Sequence, residues 1–237
     1  MKAELFTEAG NEPWRMSRQA FLAVCMFGLI ETVLEFLAWR EGVQMGAVFW
    51  VELVTLPTLG IIVSYLAAMS MISQAATVAG LLRFALGFLG TNALFIIGGA
   101  AILLAPSGPA HDLVIFSALA IMTLGFFISA LLPAWPVSQA LSLRLVRPAQ
   151  LFGATRGERW SFFLFAFVIG SIDKMVPSTK GVRDIGLALL YAACSGLAGA
   201  LTIVAVVAFG VAAWRYGCKV DPALRGDAMP PAGTSID

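Results

Sequence analysis

Six long apolar runs, broken by almost no charge, take up most of this chain. They cover about 19–39, 45–69, 78–104, 112–135, 160–176 and 185–214 of its 237 residues. A helix needs roughly 20 apolar residues to cross a hydrocarbon core about 30 Å thick, and each run meets or approaches that length. Hydrophobic residues make up 59% of the chain and charged residues 12%, and the mean hydropathy is +0.89. A water-soluble fold of this size has no interior large enough for so much apolar surface, so the surrounding solvent is lipid. Lipid offers backbone N–H and C=O groups no partners, which selects helices. The short alternating segments of a transmembrane barrel are absent. The reading is therefore an all-α polytopic membrane bundle of six transmembrane helices within residues 19–218. A cytoplasmic or interfacial segment, 1–18, precedes it. A cytoplasmic tail rich in Pro and Gly, 219–237, follows and is expected to be disordered. Glu4, Glu8 and Glu12 ahead of the first run do not suit a cleaved signal peptide, so that run reads as a retained span.

Basic residues orient the bundle. With the N-terminus inside, Lys2, Arg15, Arg18, Arg83, Arg144, Arg147, Arg156, Arg159, Arg215, Lys219 and Arg225 are cytoplasmic. Only Arg40, Lys174, Lys180 and Arg183 fall outside, so the positive-inside rule places both termini in the cytoplasm. Trp39, Trp135, Trp160 and Trp214 stand at expected span ends, where an amphipathic ring is stable. The longest loop, 136–159, is cytoplasmic in this topology. Val137 to Val146 could form an interfacial helix, with Arg144 reaching lipid headgroups and Gly153 and Gly157 ending it.

Several classes are disfavoured. Net charge is +1, so no basic field for nucleic acid exists. Cys25, Cys194 and Cys218 form neither a disulfide framework nor a metal-ligand spacing. His111 is the sole histidine and sits in a loop. Haem ligation between spans and carboxylate di-iron chemistry both need more, so no metal or cofactor is expected. The chain reads as non-enzymatic.

Ionisable groups within spans are costly to insert and are the first candidates for function. Glu31 and Glu35 share a face of the first span, and Glu52 lies on the second. All three fall in the outer half of the bilayer. Arg40 borders them, and Asp173, Lys174, Lys180, Arg183 and Asp184 open on the same side. Asn92, in the middle of the third span, either joins two helices by a hydrogen bond or lines a pathway. Such a pocket could bind a cation, relay protons or hold a polar headgroup. The plainer alternative is that Glu31 and Glu52 pair with Lys174 or Arg183 and only orient the bundle. Arg83, Arg144, Arg147, Arg156 and Arg159 are candidate contacts to inner-leaflet phosphates. Pro57 is expected to kink the second span.

Small residues mark close-packing faces. Ala192, Gly196 and Ala200 recur at four-residue spacing on the sixth span, with Ser195 and Gly199 beside them. Gly87, Gly90, Gly98 and Gly99 do the same on the third. Gly28-Leu-Ile-Glu31-Thr-Val33 also echoes Gly170-Ser-Ile-Asp173-Lys-Met175, a hint of a parallel repeat.

One segment carries a resemblance. Leu132-Pro133-Ala134, then Leu143-Arg144, then Ala154-Thr155-Arg156-Gly157-Glu158-Arg159-Trp160 leads directly into an apolar run. Over 131–171 this resembles the membrane domain found ahead of some bacterial glycerophosphodiester phosphodiesterases, and its stand-alone multi-span relatives. Gln150-Leu-Phe152 stands where those proteins carry a Ser-Trp pair before the Thr. The resemblance implies a six-helix fold in the bacterial inner (cytoplasmic) membrane that faces lipid. It implies no phosphodiesterase activity, because the hydrolase domain has no counterpart here.

Two functional readings follow. The first is a scaffold or accessory subunit of a membrane assembly, with the lipid bilayer and other membrane subunits as partners. The second is a transporter of a small solute, ion or lipid, or a permease subunit, using Glu31, Glu35 and Glu52. For the permease variant the short uncharged loop 70–77 offers an ATPase little to grip.

Overall fold

A computed structural model describes residues 3–42, 46–105, 111–142 and 144–225. Among the described residues it is helical, without strands. The helices are α1 (Ala3–Asn11), α2 (Arg18–Glu41), α3 (Ala47–Ile72), α4 (Val78–Leu103), α5 (His111–Leu131), α6 (Trp135–Leu141), α7 (Pro148–Ala154), α8 (Arg159–Met175) and α9 (Ile185–Val220). Five of them, α2, α3, α4, α5 and α9, are long and apolar enough to cross a membrane. The sixth expected span is α8. With 17 residues it rises only about 26 Å at ~1.5 Å per residue, short of a ~30 Å core.

Helix ends are set by local chemistry. Ser17 caps α2, its Oγ accepting from the Ala20 amide at 3.3 Å, while Gly42 closes the helix with φ +67°. The Glu41 carboxylate then caps α3 from outside, accepting from the amides of Ala47 at 2.9 Å and Val48 at 3.1 Å. Helix α3 runs through Pro57 as one element and ends at Ser73. There the Tyr65 hydroxyl holds Thr77, accepting from its amide and donating to its carbonyl. Asp184 Oδ1 accepts from the Leu187 amide at 2.8 Å and starts α9.

The chain divides into two compact units, each built, among the described residues, from two stretches. In the N-terminal unit, residues 3–77 and 164–212, α2 packs on α3 around Val24, Phe27 and Val63, with Ala200, Ile203 and Val204 of α9 against them. Helix α1 sets Phe6 against Phe209, which stacks on Phe165 at 3.8 Å with rings almost parallel. Gly28 and Gly196 meet at a backbone crossing. A Cβ at Gly28 would lie 2.6 Å from the Gly196 carbonyl oxygen. Gly170 has nothing within 4 Å of the corresponding position, so the sequence echo does not extend to a shared packing role.

In the second unit, residues 78–163 with 213–225, α4 packs against both α5 and α6. A Cβ at Gly87 would come within 2.8 Å of the Pro136 Cα, and one at Gly90 within 2.9 Å of the Trp135 ring. Gly98 takes Met122 of α5 in the same way, whereas Gly99 faces open space. The expected interfacial helix over 137–146 is instead α6, and it is buried from Pro136 to Leu141. The reason is that α4 offers glycines, and a helix beginning Trp-Pro fits into the space they leave. Helix α9 runs to Val220, and a 3-10 turn, Pro222–Arg225, follows with Leu224 buried. Trp214 Nε1 donates to the Leu224 carbonyl at 3.0 Å. Structure thus extends six residues past Lys219, where the unstructured tail is expected to begin. Residues 226–237 lie outside the described ones.

Candidate functional site

A cavity of about 300 Å³ opens within the N-terminal unit, lined by Glu31, Glu35, Val176, Pro177, Ser178, Ser195 and Ala198. Its walls are α2, the segment after α8, and α9. At ~1.5 Å per residue, Glu35 stands about 9 Å and Glu31 about 15 Å from the Glu41 end of α2, so the cavity reaches well along that helix. The small-residue face of α9 makes that depth usable. The Glu31 carboxylate fills the space a Cβ would take at Gly199, and the Thr32 hydroxyl does so at Gly196. Thr32 Oγ1 also donates to the Gly28 carbonyl at 2.8 Å, which keeps its hydroxyl satisfied at the crossing.

The segment after α8 is fastened to α2 at two points. Thr179, itself buried, donates from Oγ1 to Glu35 Oε1 at 2.6 Å. Trp39 Nε1 donates to the Val182 carbonyl at 2.8 Å. Gly181, with φ +79°, supplies the turn between them. Sequence reading overlooked Thr179 and Ser178 and took Ser195 only as a packing residue. The Pro177-Ser-Thr179 polar cluster directly after an apolar run is the one local signal that pointed to them.

The expected polar group is brought together in part. Glu31 and Glu35 share the cavity. Glu52 on α3 is half-buried and is not among the residues that line the cavity. Asn92 belongs to the other unit, where its Nδ2 donates to the Phe88 carbonyl at 2.9 Å and to Thr91 Oγ1 at 3.1 Å. Arg40 and Arg183 are exposed, and the side chains of Asp173 and Lys174 lie outside the described residues. Ala192 and Gly196 are buried on α9, with Gly199 and Ala200 half-buried beside them.

The arginine set divides as well. Arg83 Nη1 donates to the Ser142 carbonyl at 2.8 Å, and Arg159 lies over the Phe152 ring at 3.7 Å. Arg144, Arg147 and Arg156 are exposed. Among the described residues no group of three or more His, Cys, Asp or Glu side chains is placed to hold a metal ion.

Chemically, two carboxyl groups one helical turn apart at a shared cleft can take a cation or a hydrogen-bond donor between them. Hydroxyls of the lining residues Ser178 and Ser195 add neutral donors and acceptors, while the Thr179 hydroxyl is given to Glu35. The fold defines the class: an all-helical protein with five helices fit to span a membrane. The chain matches no family model, no curated protein and no solved structure.

Proposed function

We propose that this protein is a non-enzymatic integral protein of the bacterial inner membrane that binds a small cationic solute in the Glu31–Glu35 cavity and passes it across the bilayer. The observation that carries this reading is the cavity itself. The carboxyl groups of Glu31 and Glu35 and the hydroxyl-bearing Ser178 and Ser195 line one space, and ionisable groups on an apolar span are expensive to insert unless something uses them. Helix α8 serves as a sixth crossing in this proposal, its shortfall taken up by local thinning of the bilayer. Both termini are then cytoplasmic, and the cavity opens to the outside.

The scaffold or accessory-subunit reading draws on the small-residue faces. Those faces are occupied within the chain, Gly196 and Gly199 by residues of α2, Gly87 and Gly90 by α6. They leave little for a second subunit to grip, which favours the transport reading.

Reconstitution into liposomes tests it. Methylammonium is the probe, read as tracer uptake and as binding to purified protein. Glu31→Gln and Glu35→Gln each lower uptake at least tenfold while yield and helicity stay at wild-type levels. Equal uptake by wild type and both variants would remove the proposal, and a partner co-purifying at fixed stoichiometry would restore the accessory reading. Tags at the two termini, probed from outside intact cells, decide the topology: protection of both is expected, and labelling of one alone would leave α8 outside the set of crossings.

A further inference from the structure

Among the described residues between Ser142 and Trp160 of the second unit, every charged residue that is exposed is positive. Val146 is buried and clamped, its amide donating to Gln139 Oε1 at 3.0 Å and its carbonyl accepting from Trp135 Nε1 at 2.9 Å. The Ser142 carbonyl is held by Arg83. With Val146 fixed inward, its neighbours Arg144, Leu145 and Arg147 are exposed, Leu145 at 73%. Helix α7 buries Leu151 and Ala154, and Arg156 beyond it is exposed. Trp160, at the start of α8, is 82% exposed.

The only acid in this stretch is withdrawn from the surface. Glu158 is 2% exposed, and its Oε2 accepts from Ser161 Oγ at 2.9 Å. Asp221, which reaches α7 from the C-terminal stretch, is engaged through both oxygens, Oδ2 by Gln150 Nε2 at 2.8 Å and Oδ1 by the Ala223 amide at 3.1 Å. Arg159 is turned onto Phe152 and does not add to the exposed set. Among the described residues none of the three arginines forms an ion pair, and the clamped Val146 and helix α7 hold the backbone beside them, so binding an anion costs little further ordering.

The stretch lies between the end of α5 at Leu131 and the start of α8 at Arg159, two apolar helices, which sets it at a membrane boundary. Leu145 and Trp160 are side chains suited to the level where headgroups meet acyl chains. We infer that Arg144, Arg147 and Arg156, flanked by Leu145 and Trp160, form a binding surface for the phosphate headgroups of anionic phospholipid. This inference does not depend on the Glu31–Glu35 cavity, which belongs to the other unit.

The test uses the full-length protein in mixed micelles and in nanodiscs of phosphatidylcholine with increasing phosphatidylglycerol, with retained lipid counted by native mass spectrometry. Wild type retains phosphatidylglycerol in preference to phosphatidylcholine. At roughly fivefold per arginine near a charged lipid surface, one Arg→Gln change weakens that preference about fivefold and the triple R144Q/R147Q/R156Q about a hundredfold. The triple Arg→Lys variant keeps most of the preference, because headgroup attraction depends mainly on charge. Lys180→Gln with Arg183→Gln, exposed cations of the other unit, leaves it unchanged. An unaltered lipid preference in the folded triple glutamine variant would overturn the inference, as would equal displacement of the lipid by inorganic phosphate. Should the glutamine variant fail to fold, the wild-type titration decides: no enrichment of phosphatidylglycerol over phosphatidylcholine defeats the proposal.

Discussion

The two units spend their glycines on different ends. In the N-terminal unit, Gly196 and Gly199 of α9 admit polar groups of α2, so the Glu31 carboxylate and the Thr32 hydroxyl fit where side chains would otherwise stand. In the second unit, Gly87 and Gly90 of α4 admit Pro136 and Trp135, so a short helix sits against the span and fixes the basic segment beyond it. Missing Cβ atoms permit close approach in both cases, but the approaching group decides the outcome. One crossing makes room for a carboxyl group between helices, and the other seats a short buried helix ahead of a basic segment. A small-residue stripe therefore signals proximity without stating chemistry.

That contrast can be broken at either crossing. The largest effect is expected from Gly196→Leu. The space of its Cβ is already taken by the Gly28 carbonyl and Thr32, and overpacking of this kind costs about 3 kcal/mol or more. Folded yield and the midpoint of denaturant unfolding in mild detergent should both fall. Gly87→Val comes next at about 2 kcal/mol, since the atoms in its way are backbone atoms of Pro136. Its signature is separate: release of α6, read as faster proteolysis within 142–160, with the Glu31–Glu35 cavity still able to bind. Thr179→Val removes the hydroxyl bound to Glu35 and should cost about 1 kcal/mol, read in the same unfolding midpoint. Gly99→Ala is the smallest change. Nothing lies within 4 Å of its Cβ position, so the variant should be neutral or gain up to about 1 kcal/mol from helix propensity. A large loss there would show that the open space beside Gly99 is filled in the native membrane.

Some features were legible in the residues and others were not. The starts and ends of α2, α3, α4 and α5 lie within about four residues of the apolar runs, because in lipid a helix ends where apolar residues end and a cap becomes available. The run at 160–176 was legible as a helix, but a length of 17 residues leaves its crossing undecided. Burial of α6 was not legible. Ser138 and Gln139 suggest an exposed segment by composition, and only the glycines of α4, some fifty residues earlier, make its burial possible. For the candidate site, pairing of Glu31 with Glu35 followed from their spacing. Thr179 did not, since 144 residues separate it from the carboxylate it serves. Asn92 met the same criterion as the glutamates and yet keeps its amide bonds within its own helix.

Sequence alone determined that this protein is helical and that its long helices are apolar enough to cross a membrane. Both depend on interactions that are local along the chain: the hydrogen bonds of each helix close within four residues, and the apolar character of a run is the sum of its own side chains. Tertiary structure alone decided which polar atoms meet. Those meetings occur where helices distant in sequence cross, and the partner that fills the gap left by a missing Cβ is set by crossing geometry, which no local window of residues encodes.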